Sequence, residues 1–157
     1  MKSNEYFMRK AIEQAMIAQR EGEVPIGAVI TLNDDIIAVG RNKRERCKNA
    51  LSHAEIEAIN NACEYLKSWR LLNCKIYVTL EPCPMCAGAI INSRISSVIY
   101  GAHDPKAGSC NSIIDLFALP YNHKPSVVSG VLQDECSAIL SRSEERRVGK
   151  ECRTRCR

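Results

Sequence analysis

The sequence predicts an α/β domain in which a sheet of five strands is covered by helices on both faces. Three observations lead there. Short apolar, β-branched runs alternate along the chain with stretches whose apolar residues recur at helical spacing. Two of these runs are separated only by Asn33-Asp34-Asp35, which places an antiparallel hairpin at one end of the sheet. No internal repeat and no domain-scale linker interrupts the 157 residues, a length that suits one domain with one buried core.

The elements follow in order. Asn4 is the expected N-cap of a first helix in which Phe7, Met8, Ala11, Ile12, Ala15 and Met16 share a face, with Gly22 as the break. Val24 to Ile30 and Ile36 to Gly40 are the two hairpin strands. Arg41 to Ser52 has no periodicity and five basic residues, so it reads as a polar surface loop. Ser52 is the expected cap of a second helix that turns Ile56, Ile59, Cys63 and Leu66 inward. Lys75 to Leu80 is the third strand, Cys83 to about Ser93 the third helix, and Val98 to Tyr100 the fourth strand. A turn-rich segment from His103 to Gly108 leads to a short helix near Ile113 to Leu119. Ser126 to Ser129 is the fifth strand and Gln133 to Leu140 the last helix.

Composition excludes several classes of function. Hydrophobic residues make up 45% and charged residues 25%, the balance of an ordinary globule. No run approaches the roughly 18 apolar residues of a membrane span, and the first residues lack the apolar core of a signal peptide. A cytoplasmic protein with no membrane partner is the expectation. Nine cysteines are an odd count, and in a reducing compartment they read as free thiols or metal ligands. The formal charge of +4 arises entirely from Arg142 onward, where seven basic residues face three acidic ones. Residues 1–141 hold fifteen of each sign, so bulk charge makes no case for nucleic acid.

Chemistry concentrates in two short stretches. Cys83 and Cys86 flank Pro84 and Met85 where a strand gives way to a helix. Unpaired N–H groups and the helix dipole favour thiolates there. His53-Ala54-Glu55 stands thirty positions upstream, also at the head of a helical pattern. One imidazole and two thiolates leave a fourth tetrahedral position open on a zinc ion, with Glu55 close enough to move protons there. A rival reading takes Cys83-Pro84-Met85-Cys86 as the redox pair of a thioredoxin-like protein. That reading gives no role to His53 and Glu55, and its dithiol belongs after the first strand. A third reading is a structural zinc module, with Cys110 as the fourth thiolate that closes the site.

The two stretches together match the H-x-E…P-C-x-x-C signature of zinc-dependent deaminases. Val24-Pro25-Ile26-Gly27-Ala28-Val29, Asn42, Tyr77 to Cys83, Met85-Cys86-Ala87-Gly88, Ser93-Arg94-Ile95, Asp104-Pro105-Lys106 and Asn122-His123 narrow the likeness further. From about Tyr6 to Leu140 the chain resembles the bacterial tRNA-specific adenosine deaminases. The resemblance implies a cytidine-deaminase-like, three-layer α/β/α sandwich with a five-stranded mixed sheet. It also implies a homodimer, one Zn2+ per subunit and a tRNA anticodon stem-loop as substrate, whose wobble adenosine becomes inosine. By the same resemblance His53, Cys83 and Cys86 hold the metal, and Glu55 is the catalytic acid–base. Asn42 bonds the flipped base, the backbone near Ala54 helps seat it, Val24 and Pro25 line the pocket, and Asp104 lies with Lys106 along the anticodon loop. A free-base or nucleoside deaminase, for guanine or cytosine, is the alternative within the superfamily. Asn42 and Asp104-Pro105-Lys106 tilt against it.

The tail departs from this pattern. The last helix of such deaminases continues with phenylalanines and basic residues, whereas Arg142-Ser143-Glu144-Glu145 stands here. Residues 142–153 resemble the conceptual translation of a sequencing-adapter read. Residues 1–141 are therefore expected to form a single deaminase domain, and residues 142–157 a non-native, adapter-derived tail.

Overall fold

The computed structural model describes the backbone of residues 1–155 and the side chains as far as Glu145. The elements are α1 (Asn4–Arg20), β1 (Gly27–Leu32), β2 (Asp35–Arg41), α2 (Ala54–Leu66), β3 (Lys75–Leu80), α3 (Pro84–Ser93), β4 (Ser97–Ala102), β5 (Ser126–Val128) and α4 (Gln133–Arg155), with one 3₁₀ turn at Leu116–Ala118. The strands lie in the order β2-β1-β3-β4-β5. β1 runs antiparallel to both β2 and β3, while β3, β4 and β5 are parallel, so the sheet is mixed.

Alternation along the strands builds three layers. Ala28, Ile30, Ile76, Val78, Val98 and Tyr100 turn to one face and pack with Ala58 and Ala62 of α2 and Ile90 and Ile91 of α3. Val29, Tyr77 and Ile99 turn to the other and meet Phe7, Met8 and Ala11 of α1 and Cys136 of α4. Apolar side chains thus alternate between two cores, as in sheets covered on both sides. The hairpin turn is the two residues Asn33 and Asp34, whose positive φ of 52° and 65° suits a type I′ turn. No helix is long and apolar enough to cross a membrane among the described residues.

Several elements differ from their sequence expectation for identifiable reasons. Ser3, not Asn4, caps α1, accepting from the Tyr6 amide at 3.1 Å, and Met16 is about half exposed. β1 begins at Gly27 because Pro25 has no amide to give a ladder and the Ile26 amide turns back to the Val24 carbonyl at 2.9 Å. His53, not Ser52, is the N-cap of α2, and Ser52 is buried with its carbonyl accepting from the Lys43 amide. The expected helix over 113–119 shrinks to the 3₁₀ turn, which Asp115 caps. The last helix continues beyond Leu140 to Arg155 through a run rich in Glu, Arg and Lys, all good helix formers. The expectation of a non-native tail over 142–157 lies, for side chains from Arg146 onward, outside the described residues.

Two glycines set how closely helices approach the sheet. A Cβ on Gly27 would sit 2.1 Å from the Ala11 carbonyl oxygen of α1, and one on Gly40 would sit 2.2 Å from the Ala54 carbonyl oxygen of α2. Ala54 and Ala58 face Gly40, so small residues on both sides make the seam. Gly40→Ala is therefore expected to overpack this seam and cost about 1–3 kcal/mol. At about 2–4 °C per kcal/mol for a chain of this size, thermal unfolding followed by circular dichroism resolves the loss. An unchanged midpoint would contradict the packing. Ala54 stands between His53 and Glu55, so this seam also sets the depth of the functional residues.

Candidate active site

The α2 and α3 helices lie side by side on one face of the sheet, and their N-termini converge beyond the C-terminal end of β3. His53 is the N-cap of α2; Cys83 is the N-cap of α3, with Pro84 in its first turn. Neither cap residue spends its side chain on the helix. The imidazole and the Cys83 sulfur are thereby free to face each other, and Cys86, fully buried, completes the group from the first turn of α3. His53 Nδ1 lies 3.6 Å from Cys83 Sγ and 3.6 Å from Cys86 Sγ. All three donor atoms lie within 4.8 Å of one another.

This donor set fits zinc. Nitrogen at about 2.0–2.1 Å and sulfur at about 2.3 Å from a common ion, at the tetrahedral angle, stand about 3.6 Å apart. Three such donors leave one position open. Cys110 is buried but is not part of the group, so among the described residues no fourth thiolate closes the site.

The electrostatics suit ligation and proton transfer. The Cys86 thiol donates to Cys83, and this bond with that from His53 outweighs burial to hold the Cys83 thiol down at about 4. The same bond and burial push Cys86 up. His53 is raised chiefly by its bond to Cys83. Glu55, in the first turn of α2, is pushed up to about 7 by burial above all, which outweighs a backbone hydrogen bond that lowers it, and the neighbouring Cys83 thiolate adds to the rise. A carboxyl poised near neutrality is suited to taking up and returning a proton.

A cleft of about 200 Å³ opens over this group, lined by Val24, Asn42, His53, Ala54, Glu55, Cys83 and Asp104 among the expected residues. Two expected residues stand apart from its surface. Cys86 lies beneath the floor, and Pro25 is buried between Val24 and Ile26, which line the cleft in its stead. Asn42 is buried and oriented. Its Oδ1 accepts from the Arg44 amide at 3.0 Å and its Nδ2 donates to the Val24 carbonyl at 3.4 Å. One amide hydrogen and one oxygen lone pair remain for a ligand. Asp104 has a second task, its Oδ1 accepting from the amides of Lys106 and Ala107 and so bracing its own turn. Lys106 is exposed, with its Nζ 3.8 Å from Glu144.

Ile26, Arg44, Leu80, Glu81 and Ala107 also line the cleft, a role that the sequence reading gave to none of them. Two buried carboxylates organise its rims. Glu23 accepts from the amides of Glu45 and Arg46 at 3.0 and 2.8 Å, tying down the loop that carries Asn42 and Arg44. Glu81 does the same for the loop that carries Asp104. Glu81 opposes burial with several hydrogen bonds, from Ser112 foremost, and stays ionised below the usual carboxylate range.

A family model of MafB19-like deaminases matches residues 2–135. The chain is 47% identical, over 142 residues, to a tRNA-specific adenosine deaminase of Bacillus subtilis (strain 168), spanning 90% of this chain and 88% of that protein. The chain belongs to the tRNA-specific adenosine deaminase family. Among solved structures, one from work on A-to-I editing by tRNA:A34 deaminases at the wobble position of transfer RNA superposes with a TM-score of 0.84. It is 43% identical and the match covers 86% of this chain and 99% of that one. A guanine deaminase of Bacillus subtilis is also similar, at 35% identity and a TM-score of 0.64 over 79% of each chain. Membership of the deaminase family, on a mixed five-stranded sheet with four helices, leaves the thioredoxin-like redox reading without a fold to support it.

Proposed function

We propose that this chain deaminates adenosine to inosine at the wobble position of a tRNA anticodon. One observation carries the reading. Glu55, His53 and Cys83 line one cleft, with the third donor, Cys86, buried beside His53 and Cys83, in a chain 47% identical to a tRNA-specific adenosine deaminase. His53, Cys83 and Cys86 would hold one Zn2+ per subunit, a group whose chemistry is to bring the pKa of water toward neutrality. Glu55 takes a proton from the attacking water and delivers it to the ring nitrogen, then takes the proton of the newly added hydroxyl and passes it to the departing amine. Water adds, ammonia leaves, and the amino-bearing carbon becomes a carbonyl. Asn42 holds the base edge with its remaining donor and acceptor, Val24 walls the pocket with Pro25 behind it, and the backbone at Ala54 seats the ring. Asp104 and Lys106 lie along the RNA outside.

The reading extends to a homodimer working in the cytoplasm, and to a native domain that ends near Ser141. Resequencing the locus from genomic DNA tests that last point, since the same codons in continuous coding sequence would refute a non-native tail. The 35% identical guanine deaminase keeps a free-base substrate in view as the second reading. Inosine formation on an anticodon stem-loop, assayed beside ammonia release from free guanine, cytosine and adenosine with metal quantified on the same sample, separates the two. Ammonia from free bases alone would overturn the tRNA reading. Asn42→Ala, which leaves the base edge without its partner, should lower kcat/KM on the stem-loop by about 10–100-fold with metal content unchanged. A change of less than threefold would take Asn42 out of the binding set.

A further inference from the structure

We propose that Glu81 is a positioning residue that fixes the 103–112 loop as one wall of the cleft and thereby sets how tightly the substrate is held. The inference rests on the reading of this cleft as the deaminase substrate site. Three carboxylates line the cleft, Glu55, Glu81 and Asp104, and the two glutamates differ in what they have left to give. Glu81 is 2% exposed. Its Oε2 accepts from the amides of Cys110, Asn111 and Ser112 at 3.1, 2.9 and 2.9 Å. Its Oε1 accepts from the Asp104 amide at 3.1 Å and from the Ser112 hydroxyl. These are five donors against the roughly four lone-pair sites of a carboxylate. None remains for water, a base or a proton in flight, so Glu81 has no part in the hydrolytic step.

What the carboxylate does instead is close the loop on itself. Asp104 and Ser112 are eight positions apart, and both bond the same side chain. The loop crosses over that side chain so closely that a Cβ on Gly108 would lie 2.4 Å from the Glu81 carboxyl carbon. His103 Nδ1 stands 3.6 Å from Oε1 on the outer side. Asp104 and Ala107, the loop residues that line the cleft, are both held within this ring. At its root Glu81 is two residues from Cys83, so the wall is registered to the floor that holds the metal donors. A loop ordered by one ionised group has a bound-competent form whose population that group controls, and loss of order lowers apparent affinity in proportion.

The test is Glu81→Gln, with Ser112→Ala as a milder second variant. Whichever way the glutamine amide turns, its NH2 meets loop donors. The expected result is a rise in stem-loop KM of about tenfold or more, with kcat changed by less than about threefold and metal content unchanged. Ser112 is exposed, and losing its hydroxyl removes one bond of the five, so Ser112→Ala should fold normally and raise KM by about fivefold. Hydrogen exchange gives a readout without substrate. The amides of Asp104, Cys110, Asn111 and Ser112 should be protected in the unaltered protein and exchange faster in Glu81→Gln. Loss of kcat or metal with KM unchanged would overturn the proposal, as would unprotected amides in the unaltered protein or a Ser112→Ala enzyme with unchanged KM. Failure of the unaltered protein to act on the stem-loop, with these amides protected, would instead refute the substrate reading alone.

Discussion

Glu55→Ala should abolish turnover, by about 10⁴-fold or more, while the protein stays folded and keeps its metal. General acid–base assistance to one proton transfer is commonly worth about 10²–10⁴-fold, and in the proposed mechanism one carboxyl serves several transfers in sequence. The structure offers no substitute within the cleft. Glu81 is saturated by loop amides, and the Asp104 carboxylate braces its own turn at the rim. Stability should not follow activity down. Burial already raises Glu55 to about 7, so the site disfavours its charged form and little folding energy is lost with it. Single-turnover inosine formation, with metal content and thermal midpoint measured on the same sample, separates a chemical loss from a structural one. Residual turnover within about a hundredfold of the unaltered enzyme would assign the proton work to another group.

Much of this was legible in the sequence because it rests on local pattern. Lys75 to Leu80 reads as a strand and is β3 residue for residue, since apolar and β-branched side chains fill both of its faces. The grouping of the three candidate metal donors was legible for a similar reason. His53 and the Cys83–Cys86 pair each head a helical pattern, so their convergence follows once two neighbouring helices pack on one face of a sheet. What escaped depends on contacts distant in sequence. The inward face of α2 was expected from its large apolar residues, yet Ala54, Ala58 and Ala62 are its fully buried line. Their small size permits the close approach at Gly40, and small residues carry little signal of burial on their own. Glu23 and Glu81 were missed because a buried carboxylate looks like any surface acid until its partners are known. Those partners are backbone amides 22 to 31 positions away, and an amide leaves no mark in the sequence.

Cys86→Ser should lose the metal, and with it both turnover and the part of the stability that the metal supplies. A serine hydroxyl stays protonated where a thiol ionises, and it sits poorly in a fully buried position among sulfur and imidazole donors. Two donors, His53 and Cys83, are then left from two different helices. Because a ligand that binds only the folded state stabilises by mass action, roughly 4 kcal/mol at a thousandfold excess over Kd, a metal held by these donors would also tie α2 to α3. The expected pattern is specific. A chelator should lower the midpoint of the unaltered protein to about that of Cys86→Ser, which itself should respond neither to chelator nor to added zinc. Cys110→Ser should keep one equivalent of metal, because its sulfur is not part of the donor group. A closed structural site would lose metal in both serine variants. A redox pair would show no chelator effect in the unaltered protein, and its stability would respond to reductant through a Cys83–Cys86 disulfide. The chelator arm therefore distinguishes an open metal site from a dithiol, and Cys110 distinguishes an open site from a closed one.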